Sequence, residues 1–292
     1  MTSIDQDDSS NKYAIEIRTV QANAFKVLIE ALKELLTDTA IQVSPSGFKV
    51  VTMDNSRVVL VHLKLDAANF EYFHCSGTVV LGVNMLNLYK IIKTVNSYDT
   101  LTLFVTKDNV NQLGIRIDKQ EKDTFSCYKL NLLDLRYENL NIPPADFSSV
   151  ITLPSSDFQK ICRDMYNIAE DIDITKVNNK LILSCKGDFC SQETVITDNS
   201  VSEENMDGGV AGAVATAKEG KENKITTIIT NISDEIIQGV FSLKYLCLFT
   251  KCTNLSNTVE IYVKNDYPLI VKYTVASLGS IKLCVCPHTN ED

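Results

Sequence analysis

The chain has 292 residues, of which 45% are hydrophobic, and a net charge of −9 at pH 7. This length is enough for about two domains with substantial cores. The acidic balance excludes a protein coated in positive charge, so binding of nucleic acid would need the basic residues concentrated on one surface. No stretch approaches the ~18 apolar residues of a transmembrane helix, and we expect no membrane contact.

Nine cysteines are scattered along the sequence, their number is odd, and no Cys-x-x-Cys pair occurs. The polar N-terminus lacks the apolar segment of a signal peptide. We therefore expect reduced, intracellular thiols. With only three histidines in the sequence, the spacing of possible ligands also disfavours zinc, and we expect no metal and no cofactor.

The first half of the chain predicts strands interrupted by two helices. Residues 1–12 are polar and acidic and predict a disordered N-terminal extension. Residues 22–36 have an apolar stripe at helical spacing, with Asn23 as a candidate N-cap. Residues 82–95 lead from a strand end into a second amphipathic helix. Strands are predicted at residues 13–20, 39–43, 48–53, 58–65, 71–75, 78–83, 101–105, 113–117 and 124–132.

Residues 135–147 contain two prolines and little periodicity, which predicts a linker between domains at 13–134 and 148–288. The second domain repeats the programme, with helices from Phe158 to about Ala169 and from about Leu243 to Lys251. Residues 198–224 predict a flexible insertion, and residues 289–292 form a short acidic tail. Strands are predicted at 149–153, 172–177, 180–185, 192–197, 225–232, 235–240, 258–263, 269–275 and 281–285.

Two landmarks suggest an internal duplication. Phe25 matches Phe158, and Gly82 matches Gly239. The second separation exceeds the first by about the length of the insertion, so one unit is repeated and its second copy carries a loop. The predicted fold class is α+β, with each copy packing two helices on antiparallel sheets.

Each of the four predicted helices carries two basic residues on one face. Such a pair is usually an ordinary solvated face. Four pairs at corresponding places in a repeat favour contact with the phosphate backbone of duplex DNA, without reading of bases. No aromatic residues are interleaved on these faces, which argues against stacking on single strands. The eight residues are Lys26, Lys33, Lys90, Lys93, Lys160, Arg163, Lys244 and Lys251.

The sequence offers little support for an enzyme. No Walker loop, dinucleotide-binding glycine motif, zinc-protease motif or nucleophile elbow is present. The carboxylates are spread rather than paired, and the histidines provide few candidates for a general base. We expect no catalytic residues.

Several short segments, in this order and spacing, resemble the eukaryotic and archaeal DNA sliding clamp, proliferating cell nuclear antigen. They are residues 31–35 (ALKEL), 46–47 (SG), 53–58 (MDNSRV), 81–84 (LGVN), 161–164 (ICRD), 249–251 (FTK) and 267–269 (YPL). The resemblance covers residues 13–287 and suits a divergent protist or viral member.

This resemblance implies a homotrimeric ring of six domains whose twelve helices line a central hole. Such a ring encircles duplex DNA and tethers DNA polymerase and other replication and repair proteins, which raises their effective concentration. It also implies a clamp loader as partner and a nuclear location, or a cytoplasmic replication site for a viral clamp. The eight basic residues fall at the inner-helix positions.

The resemblance further implies a groove that accepts a hydrophobic-aromatic peptide of the client protein. The matching residues are Met53, Arg57, Val58, Leu60, Leu140, Ile142, Pro143, Pro268, Cys286 and Pro287. Subunits of the family join through edge strands, here near residues 124–130 and 189–196. The implied interface residues are Phe125, Cys127, Lys129, Cys190, Gln192 and Thr194.

Three departures from the family pattern stand out. Arg57 replaces a frequent histidine, Cys284 replaces a common aromatic residue, and the lysine that many members ubiquitinate aligns near Asn178, beside Lys176 and Lys180. A subunit of a heterotrimeric checkpoint-type clamp and a monomeric processivity factor share the fold and the basic face, so both stay open as alternatives.

Overall fold

The computed structural model describes residues 12–54, 56–136, 140, 146–198, 227–231 and 235–288. The predicted extension before Lys12, the insertion after Asp198, the acidic tail, and the groove candidates Ile142 and Pro143 lie outside these residues. Among the described helices, none is both long and apolar enough to cross a membrane.

The described part of the chain forms two compact units. The first comprises Met1–Pro144, Lys251–Ser256 and Lys272–Val285, and the second comprises Ala145–Thr250, Asn257–Val271 and Cys286–Asp292.

The elements occur in the same order twice: a strand, a helix, five strands, a helix and three strands. The first repeat has β1 Tyr13–Thr19, α1 Ala22–Leu35, β2 Asp38–Ser44, β3 Gly47–Met53, β4 Val59–Asp66, β5 Tyr72–Cys75, β6 Val79–Asn84, α2 Met85–Ile92, β7 Thr100–Thr106, β8 Asn109–Lys119 and β9 Thr124–Asn131. The second has β10 Ser149–Pro154, α3 Ser155–Tyr166, β11 Asp171–Val177, β12 Lys180–Lys186, β13 Ser191–Thr197, β14 Ile228–Asn231, β15 Ile237–Ser242, α4 Leu243–Phe249, β16 Thr258–Val263, β17 Leu269–Val275 and β18 Gly279–Val285.

Hydrogen bonds at the second helix of each repeat give the register of the duplication. Met85 N donates to Thr37 O at 2.8 Å, and Leu243 N donates to Glu170 O at 2.9 Å. Because Met85 therefore corresponds to Leu243, Gly82 corresponds to Val240. The predicted duplication is confirmed, but the match of Gly82 with Gly239 was wrong by one residue.

Antiparallel pairing organises the sheets of each unit. In the first unit one sheet has the order β5-β1-β7-β8-β9, and a second set runs β18-β4-β3-β2-β6. In the second unit β13-β12-β11-β15 form a sheet, and β10 lies between β14 and β16. Alternate strand residues are buried, as expected for sheets with one face covered by helices.

The helices bury the stripes that their sequences predict. In α1 the stripe is built on Phe25, Leu28 and Leu32, and in α3 it is built on Phe158 and Cys162. The N-cap of α1 is Gln21, which makes no side-chain capping bond, so Asn23 was wrong as the cap. Similarly α3 begins at Ser155, three residues before the predicted start.

Candidate DNA-facing and partner-binding surfaces

The first helix pair is held together by polar contacts of its long side chains. Lys26 Nζ donates to Val95 O at 2.8 Å, just beyond the end of α2. Tyr89 Oη donates to Glu30 Oε1 at 3.0 Å. Since successive residues of α1 meet residues in reverse order along α2, the helices are antiparallel. The ammonium group of Lys26 thus satisfies a carbonyl that the helix end leaves unpaired.

Lys33 is also engaged by its neighbours. Its Nζ lies 4.8 Å from the centre of the Tyr89 ring and forms a hydrogen-bonded ion pair with Glu34. The bond to Glu34 is the largest cause of a raised Lys33 pKa, and the same bond lowers the pKa of Glu34. The Lys33 side chain is only 16% exposed, and the carboxylate of Glu34 offsets much of its positive charge.

The other two predicted DNA contacts of the first helix pair point to solvent. Lys90 lies in the last turn of α2, and Lys93 is its C-cap residue. Both are exposed, and neither forms an ion pair with another residue in the described ranges. Cations at a helix C-terminus also interact favourably with the helix dipole.

The second helix pair has the same geometry with a different charge pattern. Gln159 corresponds to Lys26 and likewise donates to a backbone carbonyl, that of Thr250, at 3.0 Å. Arg163 corresponds to Glu30 and is exposed, as is Lys160. Lys244 is exposed on α4, with its Nζ 5.5 Å from the centre of the Tyr245 ring.

Lys251 follows α4 in a short 3-10 turn, Thr250–Leu255, and is exposed. It belongs to the first unit, where its charge contributes to the lowered pKa of Glu34. By the register of the helices it corresponds to Lys93. Six of the eight predicted basic residues are therefore exposed, and two are tied to other groups.

The loop between β3 and β4 is organised by Asp54. Its Oδ1 accepts hydrogen bonds from Val58 N and Val59 N, each at 2.9 Å, and its second oxygen accepts one from Ser56 Oγ. Burial alone would raise the pKa of this carboxyl, but these bonds outweigh it and lower the pKa. The loop holds Arg57 exposed in the left-handed region, at φ 58°.

The structure brings three predicted groove residues together. Met53, Arg57 and Leu140 line a groove of about 370 Å³ in the first unit. The other lining residues, which the sequence did not suggest, are Asp38, Ala40, Val51, Thr52, Asp54, Leu135 and Arg136. Leu60 lies beside this groove, opposite Met53 on β3 and Cys284 on β18. The lining mixes apolar side chains with charged ones, so it can accept a peptide that carries an apolar anchor beside polar groups.

The remaining groove candidates lie in the second unit. Pro268 and Pro287 are half-buried, and Cys286 is exposed. The chain at this point is held by His288, whose N donates to Val240 O at 2.8 Å. The side-chain Nδ1 of His288 lies 3.4 Å from Asp171 Oδ2.

The start of the linker is docked on Gly82. Leu133 N donates to Gly82 O at 2.8 Å, and the two residues form an isolated antiparallel bridge. A Cβ at residue 82 would lie 2.0 Å from Leu133 O, which is closer than any real contact. Glycine is therefore required for this close approach, which positions Leu135 at the groove.

Within the described residues, β9 and β13 each end a sheet and leave one edge free; β5, β6, β14 and β15 are the other end strands. Phe125, Cys127 and Lys129 are exposed on β9, and the Arg116 guanidinium carbon lies 4.4 Å from the Phe125 ring centre. On β13, Gln192 and Thr194 are half-buried.

The edge strands have counterparts in the duplication. Hydrogen bonds from Leu133 N to Gly82 O and from His288 N to Val240 O place β9 and β18 at equivalent positions. The strand registers make β13 the equivalent of β4. Within the chain, β18 pairs with β4 over seven residues. The equivalent edges of β9 and β13 have no partner strand within the described residues.

Comparison with known proteins agrees with this architecture. The family model for the N-terminal domain of proliferating cell nuclear antigen matches residues 14–139, and the model for its C-terminal domain matches residues 141–211 and 205–288. The chain belongs to the proliferating cell nuclear antigen family of DNA sliding clamps. A relative from Paramecium bursaria Chlorella virus 1, described as "Probable DNA polymerase sliding clamp 1", is 34% identical over 275 residues, covering 93% of this chain and 95% of that protein.

Membership in this family makes the turn near Asn178 of interest, since many members are ubiquitinated there. Asn178 adopts a left-handed conformation, with φ 51°. Lys176 is only 1% exposed, whereas Lys180 is exposed. No cluster of residues suited to a metal occurs in the described ranges.

Proposed function

We propose that this sliding clamp closes as a homotrimeric ring of six domains around duplex DNA. It tethers DNA polymerase and other replication and repair proteins at their site of action, and it acts as a processivity factor without catalysing a reaction. The observation that carries the proposal is the pair of unpaired edges, β9 and β13, whose equivalents β18 and β4 are paired within the chain.

The pairing of β18 with β4 provides a template for the contact between copies. Transferred to the edge strands, its register places Phe125 opposite Val195 and Cys127 opposite Glu193. Phe125 is 62% exposed and Val195 is 47% exposed, so pairing would cover two apolar side chains. Because the edges differ, the contact is head-to-tail and can close into a ring. The predicted interface residues Cys190, Gln192 and Thr194 belong to this edge; Val195 was not anticipated from the sequence.

The two helix pairs support contact with DNA. Lys90, Lys93, Lys160, Arg163, Lys244 and Lys251 are exposed on the two helix pairs or just after them. Flexible cations of this kind bind phosphates without reading bases, and the interaction weakens as salt rises. Such weak contacts allow a ring to slide while its closed shape retains the DNA.

The groove of Met53, Arg57 and Leu140 supports binding of a hydrophobic-aromatic peptide from a client protein. DNA polymerase and a clamp loader are the clients that we propose. The clamp then acts in the nucleus, or at a cytoplasmic replication site if it serves a virus, as the viral relative suggests.

The solution mass over a dilution series, measured by light scattering, tests the ring. We expect three times the monomer mass. Phe125→Glu places a carboxylate opposite Val195 and diagonal to Glu193, and it should yield monomers. Val110→Glu is the control, because Val110 is 58% exposed on β8 but lies away from the free edge. The double change Phe125→Lys with Val195→Glu should restore the trimer.

A wild-type monomer would contradict the homotrimer. Assembly of that monomer only after addition of a related subunit would favour the heterotrimeric clamp. A monomer that still stimulates a polymerase would favour the monomeric processivity factor.

A further inference from the structure

Four basic side chains lie together on the face of the first unit's sheet that is turned away from its core. His62 and Lys64 are on β4, Lys282 is opposite His62 on β18, and Lys49 is opposite Lys64 on β3. These residues alternate with buried neighbours such as Val61. We call Lys49, His62, Lys64 and Lys282 the basic strip.

The basic strip is electrostatically unfavourable by itself. Like charges directly opposite each other destabilise a sheet, as Lys49 and Lys64 do here. The pKa of His62 is lowered by burial and by repulsion from Lys282, Lys49 and Lys64. The ion pair of Lys64 Nζ with Asp66 Oδ1, at 2.8 Å, offsets one of the three lysine charges. The stability of the fold does not explain this concentration of positive charge in a chain whose net charge is −9.

The basic strip is continuous with the partner groove. Leu60, His62 and Lys64 occupy alternate positions of β4 and so share one face. Val51 lines the groove and lies opposite His62. With a strand rise of about 3.3 Å per residue, Lys64 is ~13 Å along β4 from Leu60. An extended peptide anchored in the groove can span this distance with about four residues.

We propose that the basic strip binds carboxylates of aspartate and glutamate residues that flank the apolar anchor of a client peptide. This inference rests on the proposed function of the groove and specifies which clients it selects. The anchor provides most of the affinity, and the flank provides selectivity through complementary charge.

An acidic peptide fits the strip better than nucleic acid does. The strip has three lysines on a short, continuous stretch of sheet, and its apolar end at Leu60 and Val51 offers nothing to a phosphate backbone. A peptide that carries an apolar anchor next to carboxylates matches both ends of the surface.

Fluorescence anisotropy with synthetic peptides tests the proposal on the full-length protein. Three peptides share one hydrophobic-aromatic anchor. The first has a glutamate-rich flank at its N-terminus, and the second has the same flank at its C-terminus. In the third, glutamines replace the glutamates. We expect one acidic peptide to bind about tenfold more tightly than the glutamine peptide at ~0.1 M salt. The advantage should nearly vanish at ~1 M salt, where charges are screened.

A variant with Lys49→Gln, Lys64→Gln and Lys282→Gln should abolish the advantage of the acidic flank while it binds the glutamine peptide as the wild type does. The control is Lys12→Gln, Lys107→Gln and Lys122→Gln, which removes the same charge from exposed turns of the β5-β1-β7-β8-β9 sheet. The control should keep the advantage. Binding of the glutamine peptide shows that a variant is folded.

Equal binding of the acidic and glutamine peptides by the wild type would overturn the basic strip and leave the groove intact. Failure of all three peptides to bind would overturn the groove, and the strip with it. Loss of duplex DNA binding in the strip variant, with the acidic advantage unchanged, would assign the strip to nucleic acid instead.

Discussion

In both repeats the segment after the last strand is held by the same backbone hydrogen bond, but the accepting residues have different side chains. In the first, Leu133 N donates to Gly82 O, and in the second His288 N donates to the equivalent Val240 O, both at 2.8 Å. At Gly82 the bridge is so close that a Cβ would meet Leu133 O, whereas Val240 carries a full side chain. The same backbone bond is therefore made in both repeats, but only the first repeat requires glycine at the accepting residue.

The helix pairs differ in a similar manner. Lys26 and Gln159 occupy equivalent positions, and each donates to a backbone carbonyl, that of Val95 and that of Thr250. At the next equivalent position Glu30 accepts a bond from Tyr89, whereas Arg163 is exposed. The first pair therefore uses its polar side chains for its own cohesion, and the second pair leaves more positive charge for a ligand.

The largest expected effect is at the linker contact. Gly82→Ala should lower the free energy of unfolding by about 2–3 kcal/mol, because the linker or β6 must shift to relieve the clash. It should also weaken binding of a client peptide. Gly77→Ala is the matched control, since a Cβ there meets nothing within 4 Å, and it should change stability by less than about 0.5 kcal/mol. Urea unfolding measures both; equal stability of the two variants would refute the close approach.

The second effect separates the helix pairs by their contribution to DNA binding. Replacing Lys160 and Arg163 by Gln should lower the slope of log affinity against log salt by about 0.9 per lost phosphate contact, or nearly 2. Replacing Lys26 and Lys33 by Gln should change the slope by less than half as much, because these side chains are engaged. Titration of a linear duplex, onto whose ends a closed ring can thread, measures the slopes over a salt series, and equal changes would contradict the difference.

The third effect concerns the cohesion of the helices. Lys26→Met removes the bond to Val95 O and should destabilise the protein by about 1 kcal/mol. Gln159→Met should cost a similar amount through Thr250 O. Lys90→Met is the control, because the exposed Lys90 makes no such bond. Thermal unfolding compares the three variants. If Lys90→Met lost as much stability as the other two, the bonds to the backbone carbonyls would not account for the losses.

The smallest effect concerns the β3–β4 loop and depends on pH. In the second repeat the equivalent loop closes with a backbone bond from Gly187 N to Cys190 O, and glycine stands at the position of Asp54. Because the folded pKa of Asp54 is lowered, its carboxylate stabilises the fold above the ordinary pKa of ~3.9 and loses this contribution as pH falls through the lowered value. Asp54→Asn should therefore cost up to about 1 kcal/mol at pH 7 and progressively less in acid.

Urea unfolding from neutral to acidic pH measures this difference. Asp118→Asn is a control on a half-buried carboxylate that pairs with Arg116 away from the loop. If Asp54→Asn lowers the free energy of unfolding by the same amount at every pH, the asparagine amide destabilises the loop for steric reasons and not through loss of charge.

The element types, the duplication and the family could all be predicted from the sequence alone. Apolar residues recur at every second position in strands and at every third or fourth position in helices, so a short stretch of sequence is enough to recognise either element. Phe25 and Phe158 belong to such patterns in the corresponding helices of the two repeats. It also identified Met53, Arg57 and Leu140 as groove residues through the resemblance. Placement of the candidates Ile142 and Pro143, which lie outside the described residues, stays a prediction.

Which basic side chains are exposed and which are engaged by neighbours depends on the folded chain. Sequence spacing placed Lys26 and Lys33 on a basic face, yet Val95, Tyr89 and Glu34 engage them, because hydrogen-bond partners come from a helix some sixty residues away or from a rotamer choice. In the same way, the basic strip joins β3, β4 and β18, which are distant in sequence. Strand pairing sets such neighbours, and local pattern carries no information about it.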